Sequence, residues 1–80
     1  MVTIKVLGSG CANCKRLEQI ASKVVDTLGI EANIEKVTDF QKIMDYGIMS
    51  TPGLVINEKV VSYGRIPSEV EINTWLKEAV

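Results

Sequence analysis

Cys11 and Cys14 are the two cysteines of this 80-residue chain, and only Ala12 and Asn13 stand between them. A thiolate attacks disulfides and binds soft metals. A C-x-x-C pair can therefore exchange disulfides, hold a soft metal, or sit idle as two small core side chains. The pair lies within Gly8-Ser9-Gly10-Cys11-Ala12-Asn13-Cys14-Lys15. A strand pattern runs into this stretch and a helix pattern runs out of it. The chain has no histidine, which removes zinc sites of the Cys/His kind and Cys–His nucleophilic catalysis. Two thiolates can hold Cu(I) but cannot complete a four-ligand zinc site within one chain.

Composition narrows the classes further. Eighty residues predict one domain, 1–80, with a small but adequate core. The hydrophobic fraction is 46 % and the charged fraction 24 %, the balance of a folded globular chain. Nine basic and ten acidic residues nearly cancel, so there is no basic field for nucleic acid. The apolar runs fall far short of the roughly 20 residues that span a membrane. No basic stretch precedes an apolar one at the N-terminus, so no secretory leader is expected. The expected compartment is the cytoplasm, where a close cysteine pair is more often redox-active or metal-binding than structural.

The elements that position the cysteines read in order. Val2, Ile4 and Val6 alternate with Thr3, Lys5 and Leu7, predicting a first strand whose purely apolar face meets the main core. Gly8 and Gly10 permit a tight turn, with Ser9 or Gly10 as helix cap. Leu17, Ile20, Ala21, Val24, Val25 and Leu28 then form a helical stripe, and Gly29 ends it. Ala32 to Val37 reads as a polar edge strand, parallel to the first because a helix connects them. Thr38-Asp39-Phe40-Gln41 matches a capping box for a short helix, with Phe40, Ile43 and Met44 as its apolar side and Gly47 as its stop. Leu54-Val55-Ile56 and Val60 to Tyr63 flank an Asn57-Glu58-Lys59 turn and predict a hairpin. Ser68-Glu69-Val70-Glu71 is a second capping box, opening a helix with Ile72, Trp75, Leu76 and Ala79 inward. Met44, Met49 and Trp75 read as packing, and Tyr46 as a core-edge aromatic.

The order is β-α-β-α-β-β-α, an α/β class. The expected sheet is mixed and four-stranded, in the order 2-1-3-4, with the third strand antiparallel to the first and helices on both faces. The first and last helices share the face bearing Val2, Ile4 and Val6. Lys5 points to the thinner side, where its stem can lie on apolar surface while its amine reaches water.

With C-x-x-C at the first strand–helix turn and a proline just before the third strand, this order resembles the thioredoxin fold. Tyr46-Gly47-Ile48-Met49-Ser50-Thr51-Pro52-Gly53-Leu54 is similar to the thioredoxin stretch Y-G-I-x-S-x-P-x-L, whose proline is cis. The small size is glutaredoxin-like. Gly8 to Cys14 resembles the G-x-G-C-A-N-C turn of small thioredoxin-like redox-active disulfide proteins. The chain departs from thioredoxins in three ways. No tryptophan precedes Cys11, Ala12-Asn13 replaces Gly-Pro, and Lys5 occupies the place of a buried acid held to accept a proton from the resolving cysteine.

The resemblance implies a thiol–disulfide oxidoreductase that cycles Cys11 and Cys14 between dithiol and disulfide without a bound cofactor or metal. Its partners would be disulfide-containing proteins or small molecules, and a thioredoxin-reductase-like donor or low-molecular-weight thiol. A monomer is expected. Cys11, at the positive end of the helix, is the expected nucleophile. Lys15, four residues on, adds a cation that favours its thiolate. Cys14 leads the apolar stripe and is the expected resolving thiol. Thr51, Pro52 and Gly53 are the expected substrate-docking loop, since an antiparallel third strand begins beside the end of the first. The rival readings are a Cu(I)- or Zn-binding module, as heavy-metal-associated domains share the strand, C-x-x-C and helix, and a redox sensor without turnover. Those metal domains run β-α-β-β-α-β and end on a strand, whereas this chain ends on a helical pattern.

Overall fold

The structure is a computed structural model and describes residues 2–8, 12–48 and 50–79. Its elements are β1 (Val2–Leu7), α1 (Ala12–Leu28), β2 (Ala32–Val37), α2 (Phe40–Asp45), β3 (Gly53–Ile56), β4 (Lys59–Tyr63) and α3 (Glu69–Ala79). The four strands form one sheet in the order β2-β1-β3-β4. β1 pairs parallel with β2 from Val2↔Ala32 to Leu7↔Val37. It pairs antiparallel with β3 from Ile4↔Ile56 to Leu7↔Gly53. The expected fold and strand order hold in full.

Alternation along β1 divides the molecule. Val2, Ile4 and Val6 are buried against Leu17, Ala21 and Val24 of α1 and Ile72 and Leu76 of α3. Trp75 and Ala79 pack on this cluster at its margin. On the opposite face Leu7 meets Ile43, Ile48 and Val55 in a smaller cluster. β3 is buried throughout because helices or loops cover it on both sides, which is why its sequence is a continuous apolar run rather than an alternating one. β2, an edge strand, stays half-exposed.

Chain reversals follow from residue type. Gly29 ends α1 at φ +66°, and its N–H donates to the Val25 carbonyl at 3.0 Å. The hairpin turn is two residues, Asn57 and Glu58, at φ +50° and +66°. Lys59 already belongs to β4, one residue earlier than the sequence implies. Asn57 holds this turn to β1: its N–H donates to the Thr3 carbonyl, and its Oδ1 accepts from the Thr3 N–H at 3.0 Å. β4 carries an extra residue, Val61, between the Leu54↔Ser62 and Val55↔Val60 pairs, a bulge that strand-period reading does not detect.

The Ser68 capping box forms as expected. The Ser68 Oγ accepts from the Glu71 N–H at 3.2 Å, and the Glu71 carboxylate accepts from the Ser68 N–H at 3.3 Å. The box expected at Thr38 does not. Asp39 is the cap of α2, accepting from the Gln41 N–H at 2.9 Å, because a carboxylate at that position reaches a free N–H two residues on. α2 also buries less than its sequence implies. Ile43 is buried, but Phe40 and Met44 are exposed. Among the described residues, no helix is long and apolar enough to cross a membrane.

Candidate active site around Cys14

β1 delivers the chain to the site and α1 carries it away. Gly8 extends the parallel ladder by one bond, its N–H donating to the Val37 carbonyl at 2.9 Å. Cys14 lies in the first turn of α1 and is buried at 5 % exposure. It is held there by the same stripe, Cys14-Leu17-Ala21-Val24, that seats α1 on the sheet. Cys14 is disulfide-bonded. The expected nucleophile Cys11 and the expected caps Ser9 and Gly10 lie outside the described residues, as does Met49. Ala12 and Asn13 are exposed. α1 begins at Ala12, the residue after Cys11, and has no acidic side chain in its first turn to oppose a thiolate.

The third strand reaches this place as the topology requires. Gly53 pairs with Leu7, so residues 51 and 52 come up beside the end of β1. A Cβ placed on Gly8 would meet Cys14 and would stand 3.9 Å from the Thr51 Cβ, so the cysteine and the loop converge on one glycine. The Thr51–Pro52 peptide bond is cis. Thr51 is exposed, whereas Pro52 and Gly53 are buried. The Pro52 carbonyl accepts from the Gly64 N–H at 3.0 Å, which places the Gly64-Arg65 turn on the same rim. Gly53 lacks room for a side chain, since a Cβ there would come within 2.7 Å of Ile48 Cδ1. Ile48 thus packs directly on the backbone of β3 and ties the loop to the smaller cluster.

A recess of about 40 Å³ beside Cys14 is lined by Val6, Gly8, Lys15, Glu18, Lys36 and Thr38. Lys15 is exposed at its rim. Glu18 and Lys36 form an ion pair at 3.2 Å that links α1 to β2. A larger surface groove, about 820 Å³, is elsewhere, on the α2 face around Lys5, Tyr46 and Glu58. Cys14 does not line it.

Lys5 stands in that second region and turns away from Cys14. It forms an ion pair with Glu58 and donates to the Tyr46 hydroxyl at 3.1 Å. The Tyr46 hydroxyl in turn donates to Glu58 at 3.2 Å. The hydrogen bonds to Glu58 and then Tyr46 push the Lys5 amine above its ordinary range, while the Lys5 hydrogen bond holds the Glu58 carboxyl below its own. A lysine committed to its charged form is no proton acceptor. Sequence reading placed Lys5 on the correct side but missed its partners. Charge complementarity between β1 and the hairpin turn was the available signal, and it becomes legible only after strand order is known. It also gave Gly8 a turn-making role, whereas the close approach of Cys14 is what requires a glycine there.

Comparison with known proteins agrees with this geometry. A thioredoxin-domain family model matches residues 2–77. The thioredoxin of Methanothermobacter thermautotrophicus is 39 % identical over 76 residues, spanning 95 % of this chain and 99 % of its own. That of Methanocaldococcus jannaschii is 40 % identical over 77 residues, spanning 96 % and 88 %. The crystal structure of the germline-specific thioredoxin Deadhead from Drosophila melanogaster superposes with a TM-score of 0.68 at 15 % identity, covering 99 % of this chain and 81 % of that one, a likeness of fold. The chain therefore belongs to the thioredoxin domain family, and it is a thiol–disulfide oxidoreductase.

Proposed function

We propose that Cys11 attacks and Cys14 resolves. In the reducing direction, the Cys11 thiolate attacks one sulfur of a substrate disulfide. The substrate S–S bond breaks, and the departing sulfur takes the electron pair. The Cys14 thiolate then attacks Cys11, the Cys11–substrate bond breaks, and the second substrate sulfur leaves. The substrate gains two electrons and the cysteine pair loses two. A dithiol reductase partner or a low-molecular-weight thiol returns them. Disulfide-bearing proteins are the substrates in general, and the cytoplasm is the proposed setting, since the cycle needs a reducing pool.

The observation that carries this assignment is the burial of Cys14 on the α1 stripe. A sulfur so enclosed is a poor first attacker on a macromolecular disulfide and a well-placed second one. Cys11 precedes the first residue of α1, where the helix dipole contributes about 0.3–1 kcal/mol to an anion. At about 1.4 kcal/mol per pKa unit, that lowers a thiol pKa by up to about one unit. Lys15 is the proposed additional cation. Thr51, Pro52 and Gly53 are proposed to receive the substrate segment, with the backbone of the exposed residue Thr51 offering strand-like hydrogen bonds.

Cys14→Ser tests the roles. It should accumulate a stable mixed disulfide between Cys11 and substrate, seen as one added substrate mass, while Cys11→Ser should accumulate none. Trapping by Cys11→Ser instead would reverse the assignment.

A further inference from the structure

We propose that Gly8 is a positioning residue for the resolving step: only a residue without a side chain lets the Cys14 sulfur occupy the place from which it attacks. This rests on Cys14 being the resolving thiol. The glycines fall into two kinds. Gly29, Gly47 and Gly64 have φ of +66°, +78° and +75° and are required by the backbone. Gly8 is outside that left-handed range, so its backbone would accept alanine. What excludes alanine is sulfur. A Cβ on Gly8 would overlap Cys14 Sγ and lie 3.3 Å from Cys14 Cβ.

Neither backbone can retreat cheaply. Gly8 is held to Val37 by its 2.9 Å ladder bond. Cys14 is held by α1, whose Leu17 and Ala21 are fully buried. Thr51 Cβ also stands 3.9 Å from where the Gly8 Cβ would be, so moving residue 8 would also disturb the loop. Cys14 is disulfide-bonded here; once that bond is opened, the softest coordinate left is its χ1 torsion, which has other staggered wells. Rotation relieves the overlap and swings Sγ away. A methyl group at residue 8 should then leave the first attack intact and impair the second. In that second step Cys14 donates an electron pair to Cys11, the Cys11–substrate S–S bond breaks, the substrate sulfur leaves with its pair, and the Cys14 proton passes to solvent.

The experiment uses the reduced full chain, dithiobis(nitrobenzoate) and Gly8→Ala. Each step releases one coloured thiolate, so the two steps separate in time. Gly8→Ala should release the first thiolate within about twofold of the unaltered rate. The second should slow by about tenfold or more, since a displacement near 1 Å can cost about 10²-fold. Mass analysis should find the adduct on Cys11. A second release at the unaltered rate would overturn the proposal, as would equal slowing of both. Should Gly8→Ala fail to fold, Gly8→Ala/Cys14→Ala decides: it folds if the sulfur is the obstacle and stays unfolded if it is not. Cys14→Ser is the control for the underlying roles. Like Cys11→Ser it keeps one thiol and releases one thiolate, but it should do so at the unaltered first-step rate while Cys11→Ser releases its own at least tenfold more slowly; the reverse order would defeat the assignment of Cys14 itself, whatever Gly8 does.

Discussion

The two faces of the sheet do different work. Among the described residues, the face under α1 and α3 holds ten buried apolar ones, from Val2 to Leu76. The face under α2 holds four, Leu7, Ile43, Ile48 and Val55. α2 has six residues and buries one, Ile43, so it cannot roof β1. The groove left beside it is lined by Lys5 and Tyr46, which are tied to each other and to Glu58. Each face also positions one half of the site. The thick face fixes Cys14 through α1, and the thin face fixes Thr51 and Pro52 through Ile48 packed on Gly53. The difference teaches that the buried sulfur is seated on the thick side while the loop proposed to receive substrate hangs from the thin one.

The largest expected effect tests whether that asymmetry is energetic. Leu17 is wholly buried between sheet and helices, so Leu17→Ala should lose both transfer free energy and packing, about 3–5 kcal/mol. Ile43 belongs to a short helix that can settle into the space, so Ile43→Ala should cost about 2 kcal/mol. Urea unfolding of both variants compares them. Equal losses would mean that α2 contributes to stability as fully as α1 does, and the contrast of faces would fail.

Much of this division was legible in the sequence. Val2, Ile4 and Val6 against Thr3, Lys5 and Leu7 declares two faces, and the 3.6-residue stripe from Leu17 to Leu28 declares which is thick. The cysteine spacing and the Thr51-Pro52 turn mark the proposed site because both are local patterns. What stayed hidden depends on distance in space. The Gly8–Cys14 contact needs the helix docked at its actual height. The Tyr46–Glu58 bond joins a helix end to a hairpin tip. The bulge at Val61 is a register property of a pair of strands. Phe40 misled because amphipathic periodicity says which residues share a side, not whether a helix is long enough to press all of them onto the core.

Acid should separate the faces by smaller amounts. On the thick side Glu71 caps α3 through Ser68 and forms a two-pronged pair with Arg65, at 3.0 and 2.7 Å. The Arg65 hydrogen bonds, then the Ser68 backbone N–H, hold its carboxyl down at about 2. The folded value lies below the unfolded one of about 4.3. Its stabilisation is therefore complete above the unfolded value and is lost as pH falls toward about 2. Glu58 is lowered in the same sense by Lys5. At the alkaline end the raised Lys5 contributes below its unfolded value of about 10.4 and loses that contribution as pH rises through the folded one. Urea midpoints taken between pH 5 and pH 2 should fall for the parent chain. Glu71→Gln should start lower and fall less steeply, and Glu58→Gln should reproduce this more weakly because Glu58 has no capping role. Identical acid slopes for Glu71→Gln and the parent would show that the cap and pair contribute nothing to folding.

The smallest expected effect is the sharpest test of how α2 is attached. Phe40 opens α2 and is 74 % exposed, while Ile43, less than a turn later, is 4 % exposed. A phenylalanine normally contributes to a helix by burying its ring, and sequence periodicity assigns it that part here. In the structure Asp39 already secures the helix start by capping the Gln41 N–H, and Ile43 supplies the anchor. Phe40→Ser should therefore change the unfolding free energy by no more than about 0.5 kcal/mol, as expected for a surface position without special contacts. The same urea series reads it beside Ile43→Ala. A loss as large as that of Ile43→Ala would mean that the ring is packed in solution, that α2 roofs more of β1 than its one buried side chain indicates, and that the thin face is thicker than drawn.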